Sequence, residues 1–322
     1  MIALPAVVQG ARGLRISQRG AADVHPPADL RVGPIAPVAP PSTPPLEAHG
    51  PDGMVWRRHW DDAFRLIIDF VGVAVVEVDD SGVVTFDRPL PADAEQHLLL
   101  DHVLPLVLAR GGALVVHGGV VSRGGGGVVL VGSSGAGKST LTAFAWQRGW
   151  TVGSDDGAVL AAGPPPTAEP TYPTVRLSEA SMRLLGLDLG DASPVVGKLR
   201  LTGQGTSAFN PACVALRVIA IVTPTAAGEP ARFEPIGGVE AHAELFGSTF
   251  HADLATRRLL PAIVDDLAAI VDTTTIGRLT VPHGLAGLAA SERLLRASLD
   301  GTHSDRPPAE PGNRPMRARD SS

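Results

Sequence analysis

Lysine is nearly missing from this 322-residue chain: of 27 lysines and arginines only Lys138 and Lys198 are lysine, leaving 25 arginines. A chain that uses arginine for almost every cation keeps lysine where a compact ammonium is needed, so both lysines are candidate functional residues. Cysteine is scarcer still. Cys213 alone excludes an internal disulfide and a multi-cysteine metal site, and fits a reducing compartment. It stands just before an apolar run and reads as a buried structural thiol. The opening MIALPAVVQGARGLR lacks a charged segment ahead of an apolar core, so it does not have the pattern of a secretory signal. The most membrane-like stretch, residues 98–109, is interrupted by Asp101, His102 and Pro105 and is too short to span a bilayer. Net charge is −6 and no basic run stands out beyond scattered arginines near the end, which argues against nucleic acid or an anionic membrane as the main partner. These absences predict a cytoplasmic protein.

An apolar fraction of 44% with 19% charged residues predicts a globular protein over most of the length. Residues 1–52 are rich in proline, alanine and glycine and read as a disordered lead. Residues 53–112 read as a small β meander, with strands over 65–70, 71–78 and 83–86 and a turn at 79–82, followed by a helix over 92–110 kinked at Pro105. Residues 113–300 read as the main α/β domain. It has strands over 113–121, 128–131, 150–154, 157–161, 198–201, 215–222, 232–235 and 275–281. Its helices fall at 138–148, 178–185, 238–246, 254–271 and 284–298, and residues 163–174 form a proline-rich loop. Residues 301–322 read as a disordered tail. No internal repeat is present.

The chain is organised around residues 128–156, VVLVGSSGAGKSTLTAFAWQRGWTVGSDD. Four apolar residues run into Gly132, Ser133, Ser134, Gly135, Ala136, Gly137, Lys138, Ser139 and Thr140, which fit the GxxxxGK[ST] phosphate-loop pattern in a strand-to-helix context. Glycines at 132, 135 and 137 let backbone N–H groups turn toward phosphate oxygens, and the helix N-terminus adds partial positive charge. Lys138 then reaches the β- and γ-phosphates of ATP, and the Ser139 hydroxyl ligates Mg²⁺. The strand after the helix delivers Asp155 and Asp156. In open sheets ligands sit at the carboxyl ends of strands, which places both carboxylates toward the phosphates. One serves as base toward an acceptor hydroxyl and the other enters the Mg²⁺ shell. The strand through His117 is expected beside the loop strand, bringing His117 near the site.

The run from 115 to 160 resembles the catalytic core of the HPr kinase/phosphorylase superfamily. The resemblance lies in a His-Gly pair before the loop, the loop itself, a helix ending in Arg-Gly, and an Asp-Asp pair on the next strand. It implies a P-loop kinase core of the HPr kinase/phosphoenolpyruvate carboxykinase-like type, with a mixed β-sheet flanked by helices. It also implies Asp155 as catalytic acid/base, Asp156 assisting Mg²⁺, and His117 contacting the phosphate or acceptor. Thr140 stands where the bifunctional enzymes carry an acidic residue, and their EIRGLGI-type segment is replaced by RLSEASMRLLG. The chain is therefore more similar to divergent HPr kinase-related proteins, some of which act on peptides. Lys198 and Arg200 then stand in for the downstream cations. The resemblance implies an ATP-dependent transfer to a serine hydroxyl of a protein or peptide, and a homo-oligomer. A small-molecule kinase and a non-catalytic nucleotide-binding module remain the alternatives. A transporter-type ATPase is set aside: it would need a strand ending in Asp-Glu, and residues 218–223 run into Thr-Pro instead.

Overall fold

The computed structural model describes residues 31–49, 52–61, 65–171, 174–188, 192–195, 198–202, 212–250 and 260–301. Within them the chain first builds a six-stranded sheet from β1 (Arg31–Val32), β2 (Leu46–His49), β3 (Val55–Asp61), β4 (Arg65–Phe70), β5 (Ala74–Asp79) and β6 (Val83–Phe86). The order is β1, β6, β5, β4, β3, β2, with β1 parallel to β6 and every other pair antiparallel. Alternation in β5 buries Ala74, Val76 and Val78 on one face, while in β4 Leu66, Ile67 and Ile68 are all buried. Burial of each such large side chain contributes roughly 1.5–3 kcal/mol. Residues 71–73, expected as strand, form the turn between β4 and β5.

One face of this sheet is covered by a helix in three parts: α1 (Ala92–Leu98), a π-helical turn (Leu99–Val103) and α2 (Leu104–Arg110). The expected kink at Pro105 takes the form of that π turn. Proline has no N–H to give the carbonyl of Asp101 four residues earlier, so the helix widens there. The turn keeps Leu99, Leu100 and Val103 in the core and also buries Asp101. Arg110 ties the far end of the helix to β3 through Asp61, at 2.6 Å.

The larger part follows as β7 (Leu114–Val116), β8 (Gly118–Arg123), β9 (Gly126–Val131), α3 (Lys138–Gln147), β10 (Thr151–Ser154), β11 (Ala158–Ala161), β12 (Thr167–Pro170), β13 (Thr174–Leu177), α4 (Glu179–Leu185), β14 (Ala192–Val195), β15 (Lys198–Thr202), β16 (Val214–Thr225), β17 (Arg232–Pro235), α5 (Gly238–Gly247), α6 (Leu260–Thr273), β18 (Thr275–Pro282) and α7 (Leu285–Gly301). The long apolar β16 is central, parallel to β9 on one side and to β18 on the other. Outside β9 lie β8 and then β10, both antiparallel to their neighbours, and β17 closes the other edge. The first residues of β16 pair with β12, which leads to β11 and β7. Helices α3 and α7 cover one face together with α4 and a small sheet of order β13, β15, β14, and α5 and α6 cover the other. The architecture is mixed α/β, as expected from the alternating strands and helices.

Several expectations are corrected. Residues 31–49, read as part of a disordered lead, contain β1 and β2. Leu46–His49 gains its hydrogen bonds from the hairpin with β3, a pairing that proline content conceals. Residues 163–174, read as a loop, hold β12, which pairs with β11 across the prolines at 164–166. The strand expected over 113–121 is interrupted at His117, where the chain passes from one part of the sheet to another. Cys213 is exposed, because it precedes β16 and the apolar face of that strand begins at Leu216. Residues 1–30, 254–259 and 302–322 lie outside the described residues, so the remainder of the lead, the start of the 254–271 helix and the tail do too. Among the described residues no helix is long and apolar enough to cross a membrane.

Candidate functional site

Residues 132–137 form the connection from β9 to α3 that the motif predicts. Gly132 has φ 139°, and a Cβ there would lie 2.7 Å from the Val222 carbonyl of β16, so no other residue fits. Gly137, at φ 93°, caps α3 with no side-chain acceptor. The first-turn N–H groups of α3 are thereby left without a side-chain partner, the arrangement that accepts an anion. Lys138 Nζ donates to the carbonyls of Gly132 at 2.7 Å and Ser133 at 3.0 Å, so it lies folded over the loop. Burial lowers its pKa; Lys198 lowers it too, while Asp156 and Asp155 oppose the shift. Lys198, at the start of β15, is therefore close enough to sense Lys138, and it is exposed. Ser133, Ser134 and Gly135 are exposed at the loop tip, while Ala136 is buried.

The carboxylates arrive from β10. That strand is fixed at its start by Trp150, whose indole N–H donates to Glu292 of α7 at 2.8 Å. Its end lies against β8, where a Cβ on Gly119 would meet Thr142 Oγ1 at 2.9 Å, the Ser154 carbonyl at 3.2 Å and Asp155 Cα at 3.3 Å. The glycine thus lets the end of β10 approach β8 and α3. Asp155 is only 1% exposed. Its Oδ2 accepts the backbone N–H of Arg176 at 2.8 Å, and its Oδ1 makes no well-formed hydrogen bond among the described residues. The Ser139 hydroxyl is nonetheless near enough to favour the charged form of Asp155. Burial dominates and raises the Asp155 pKa, against Arg176 and Ser139. The Asp156 side chain keeps 25% exposure and pairs with the Arg176 guanidinium. Burial raises the Asp156 pKa to about 7, with Asp155 and Asp101 adding to the rise and Arg176 and Lys138 opposing it.

Three residues of this cluster escaped the sequence reading. Arg176 of β13 also reaches Asp101 of the π turn, with Nη1 to Oδ2 at 2.8 Å. His97 of α1 contacts Asp101, and its Nδ1 lies 3.1 Å from Arg176 Nη1. The cluster thus gathers three carboxylates at one arginine, Asp101 and Asp156 on its guanidinium and Asp155 on its backbone N–H, drawing on the helix over the N-terminal sheet, β10 and β13. The signals available were an aspartate inside an apolar helix ahead of a proline, and an arginine in the segment where the family motif was sought. Neither marks a contact across such sequence separations.

The other expected residues are placed unevenly. Gly118 pairs with Val131, the residue before the loop, so His117 lies level with the carboxyl end of β9. Its backbone N–H donates to the Ser248 carbonyl at 2.7 Å, and its ring lies against that of Phe250, tilted by 31° with centroids 3.5 Å apart. The Thr140 hydroxyl is 2.9 Å from the Ser181 hydroxyl of α4, and Ser178 caps that helix. Arg200 is the register partner of Arg176 in the small sheet, and its side chain is outside the described ones.

Among the described residues no group of three or more histidine, cysteine, aspartate or glutamate side chains cages a metal by itself. Mg²⁺ is ordinarily held by one or two protein oxygens together with substrate phosphates and water, so a fuller cage is not required. A buried Asp155 Oδ1 without a well-formed hydrogen bond, beside the Ser139 hydroxyl, is an oxygen set that fits such a cation.

No family model and no curated protein matches the chain. Among the solved structures that match is the Hpr(Ser) kinase/phosphatase from Coxiella burnetii, at 13% identity over 59% of this chain and 99% of the other, with a TM-score of 0.30. Nothing about activity, substrate or assembly follows from an agreement of that size.

Proposed function

We propose that this chain is a Mg-ATP-dependent phosphotransferase that moves the γ-phosphoryl group to a hydroxyl, most readily a serine of a protein or peptide. The observation that carries the reading is the convergence of an uncapped helix N-terminus, Lys138 and the Asp155–Asp156 pair at one end of the sheet. The loop's N–H groups bind the phosphates, and Lys138 leaves the carbonyls of Gly132 and Ser133 to contact the β- and γ-oxygens. Ser139 and Asp155 would hold Mg²⁺, which supplies charge neutralisation at the transferring group.

The family resemblance implies Asp155 as base and Asp156 at the metal. Burial supports the exchange of those roles: Asp155 is closed off beside Ser139, whereas Asp156 is partly exposed and can meet an acceptor. Asp156 takes the proton of the acceptor hydroxyl as the new O–P bond forms. The bond from the γ-phosphorus to the bridging oxygen breaks, and ADP leaves. Lys198 and Arg200 are proposed to add positive charge to the site.

Transfer of label from γ-labelled ATP with Mg²⁺ to a panel of serine-containing peptides, with Lys138→Ala as control, tests the reading. Label on a peptide serine that disappears in the control is expected. Activity on sugars or alcohols but never on peptides would select a small-molecule kinase. Nucleotide bound with nothing transferred over a broad panel would select a binding module.

A further inference from the structure

Arg176 touches both carboxylates: its main chain holds Asp155 and its guanidinium holds Asp156. That guanidinium does not rest on them alone. Asp101 accepts from it at 2.8 Å, and Asp101 is fully buried on the π turn of the helix covering the N-terminal sheet. We propose that Asp101 and Arg176 are positioning residues, through which the helix of the N-terminal sheet sets the placement of the carboxylate pair at the end of β10. This rests on the reading of Asp155 and Asp156 as the groups that do the chemistry.

The geometry has a physical consequence. One guanidinium shared between Asp101 and Asp156 cannot neutralise either of them fully, and the two pull on it from different elements. Asp101 takes one terminal nitrogen of Arg176 and Asp156 the other, so the guanidinium does not pair with Asp156 through both nitrogens and the β10 carboxylates share only part of its charge. The groups facing that pair are Arg176 from β13, Lys138 from α3 and Asp101 from the π turn, with His97 of α1 behind Asp101. Removing the Asp101 charge lets Arg176 settle wholly onto the β10 carboxylates, where it competes with a cation. Pro105 makes the placement structural, because the widened turn it forces carries Asp101. Arg176 Nε, buried without a hydrogen-bond partner among the described residues, fits a side chain positioned by its terminal nitrogens.

The test uses the full chain, with Asp101→Asn, Arg176→Lys, the double variant and Asp101→Glu. Calorimetry of ADP binding with and without Mg²⁺ reads the site without requiring transfer. In Asp101→Asn the gain in ADP affinity given by Mg²⁺ falls about tenfold, the lower end of what loss of a group supporting metal ligands costs. ADP affinity without Mg²⁺ stays near wild type because the loop is untouched, and Asp101→Glu recovers part of the loss. A folded Asp101→Asn protein with the full Mg²⁺ effect overturns the proposal. Denaturant unfolding of the same four proteins decides the matter even if no nucleotide binds. The double variant is then no less stable than the worse single one if the pair acts as a unit, and additive losses overturn the proposal. Absence of ADP binding by the wild type would count against the phosphotransferase reading alone.

Discussion

The loop between β9 and α3 and the cluster around Arg176 meet at Asp155 and are built in opposite ways. The loop is made of consecutive residues, is proposed to bind mainly through backbone N–H groups, and needs only a strand before it and a helix after it. The cluster draws His97 and Asp101 from the helix over the N-terminal sheet, Asp155 and Asp156 from the end of β10, and Arg176 from β13. It works through buried side-chain charge. The first is a local device that any chain of that sequence would tend to form. The second exists only once three distant elements have packed, so it couples the folding of the N-terminal sheet to the site.

That contrast can be broken by substitutions, and the largest effect belongs to the cluster. Arg176→Met leaves Asp101 and Asp156 without their shared cation, and removal of one partner of a buried ion pair costs about 3–5 kcal/mol. Denaturant unfolding should show that loss, with the loop's sequence untouched. Gly119→Ala comes next. Its Cβ would meet the backbone of Ser154 and Asp155 at 3.2 and 3.3 Å, forcing the end of β10 outward at about 1–3 kcal/mol, again read by unfolding.

How much of this was legible follows the same division. The loop, α3 and the strand leading into Asp155 could be read because their signals lie within about thirty residues and have a fixed spacing. The π turn was half legible: Pro105 announced a break, but not that the break would bury Asp101. Arg176 was not legible, since an arginine in a short strand after a proline-rich stretch has no distinguishing local pattern. Its role comes from Asp101, 75 positions earlier (176 − 101). The β12 strand was lost for a related reason, because its pairing with β11 outweighs a composition that reads as loop.

Two smaller effects sharpen the picture. His102 on the π turn lies against Trp56 and Phe70, with ring centroids 5.2 and 5.6 Å away. Burial first, with His97, Arg57 and Arg176 adding to it against Asp101, lowers its pKa to about 3. A histidine depressed in the folded state is neutral there while the unfolded chain takes up a proton, so its contribution is present above the unfolded pKa of about 6.5 and is lost as pH falls below it. Wild-type stability should therefore fall relative to His102→Phe, by at most about 1.4 kcal/mol per pH unit below that point. Equal slopes in the two proteins would remove His102 from the account. Ser178→Ala removes the cap of α4, whose Ser181 holds Thr140 beside the loop, and should cost about 1 kcal/mol in unfolding with little change in nucleotide affinity.

In the proposed function the loop binds nucleotide and the carboxylates act on the acceptor. Nucleotide affinity and single-turnover phosphoryl transfer, measured side by side on wild type and Asp156→Asn, test it most directly. Affinity within a few-fold of wild type and transfer reduced by about 10²–10⁴, the usual contribution of a positioned base, are expected. Transfer at the wild-type rate by a folded Asp156→Asn protein would contradict it.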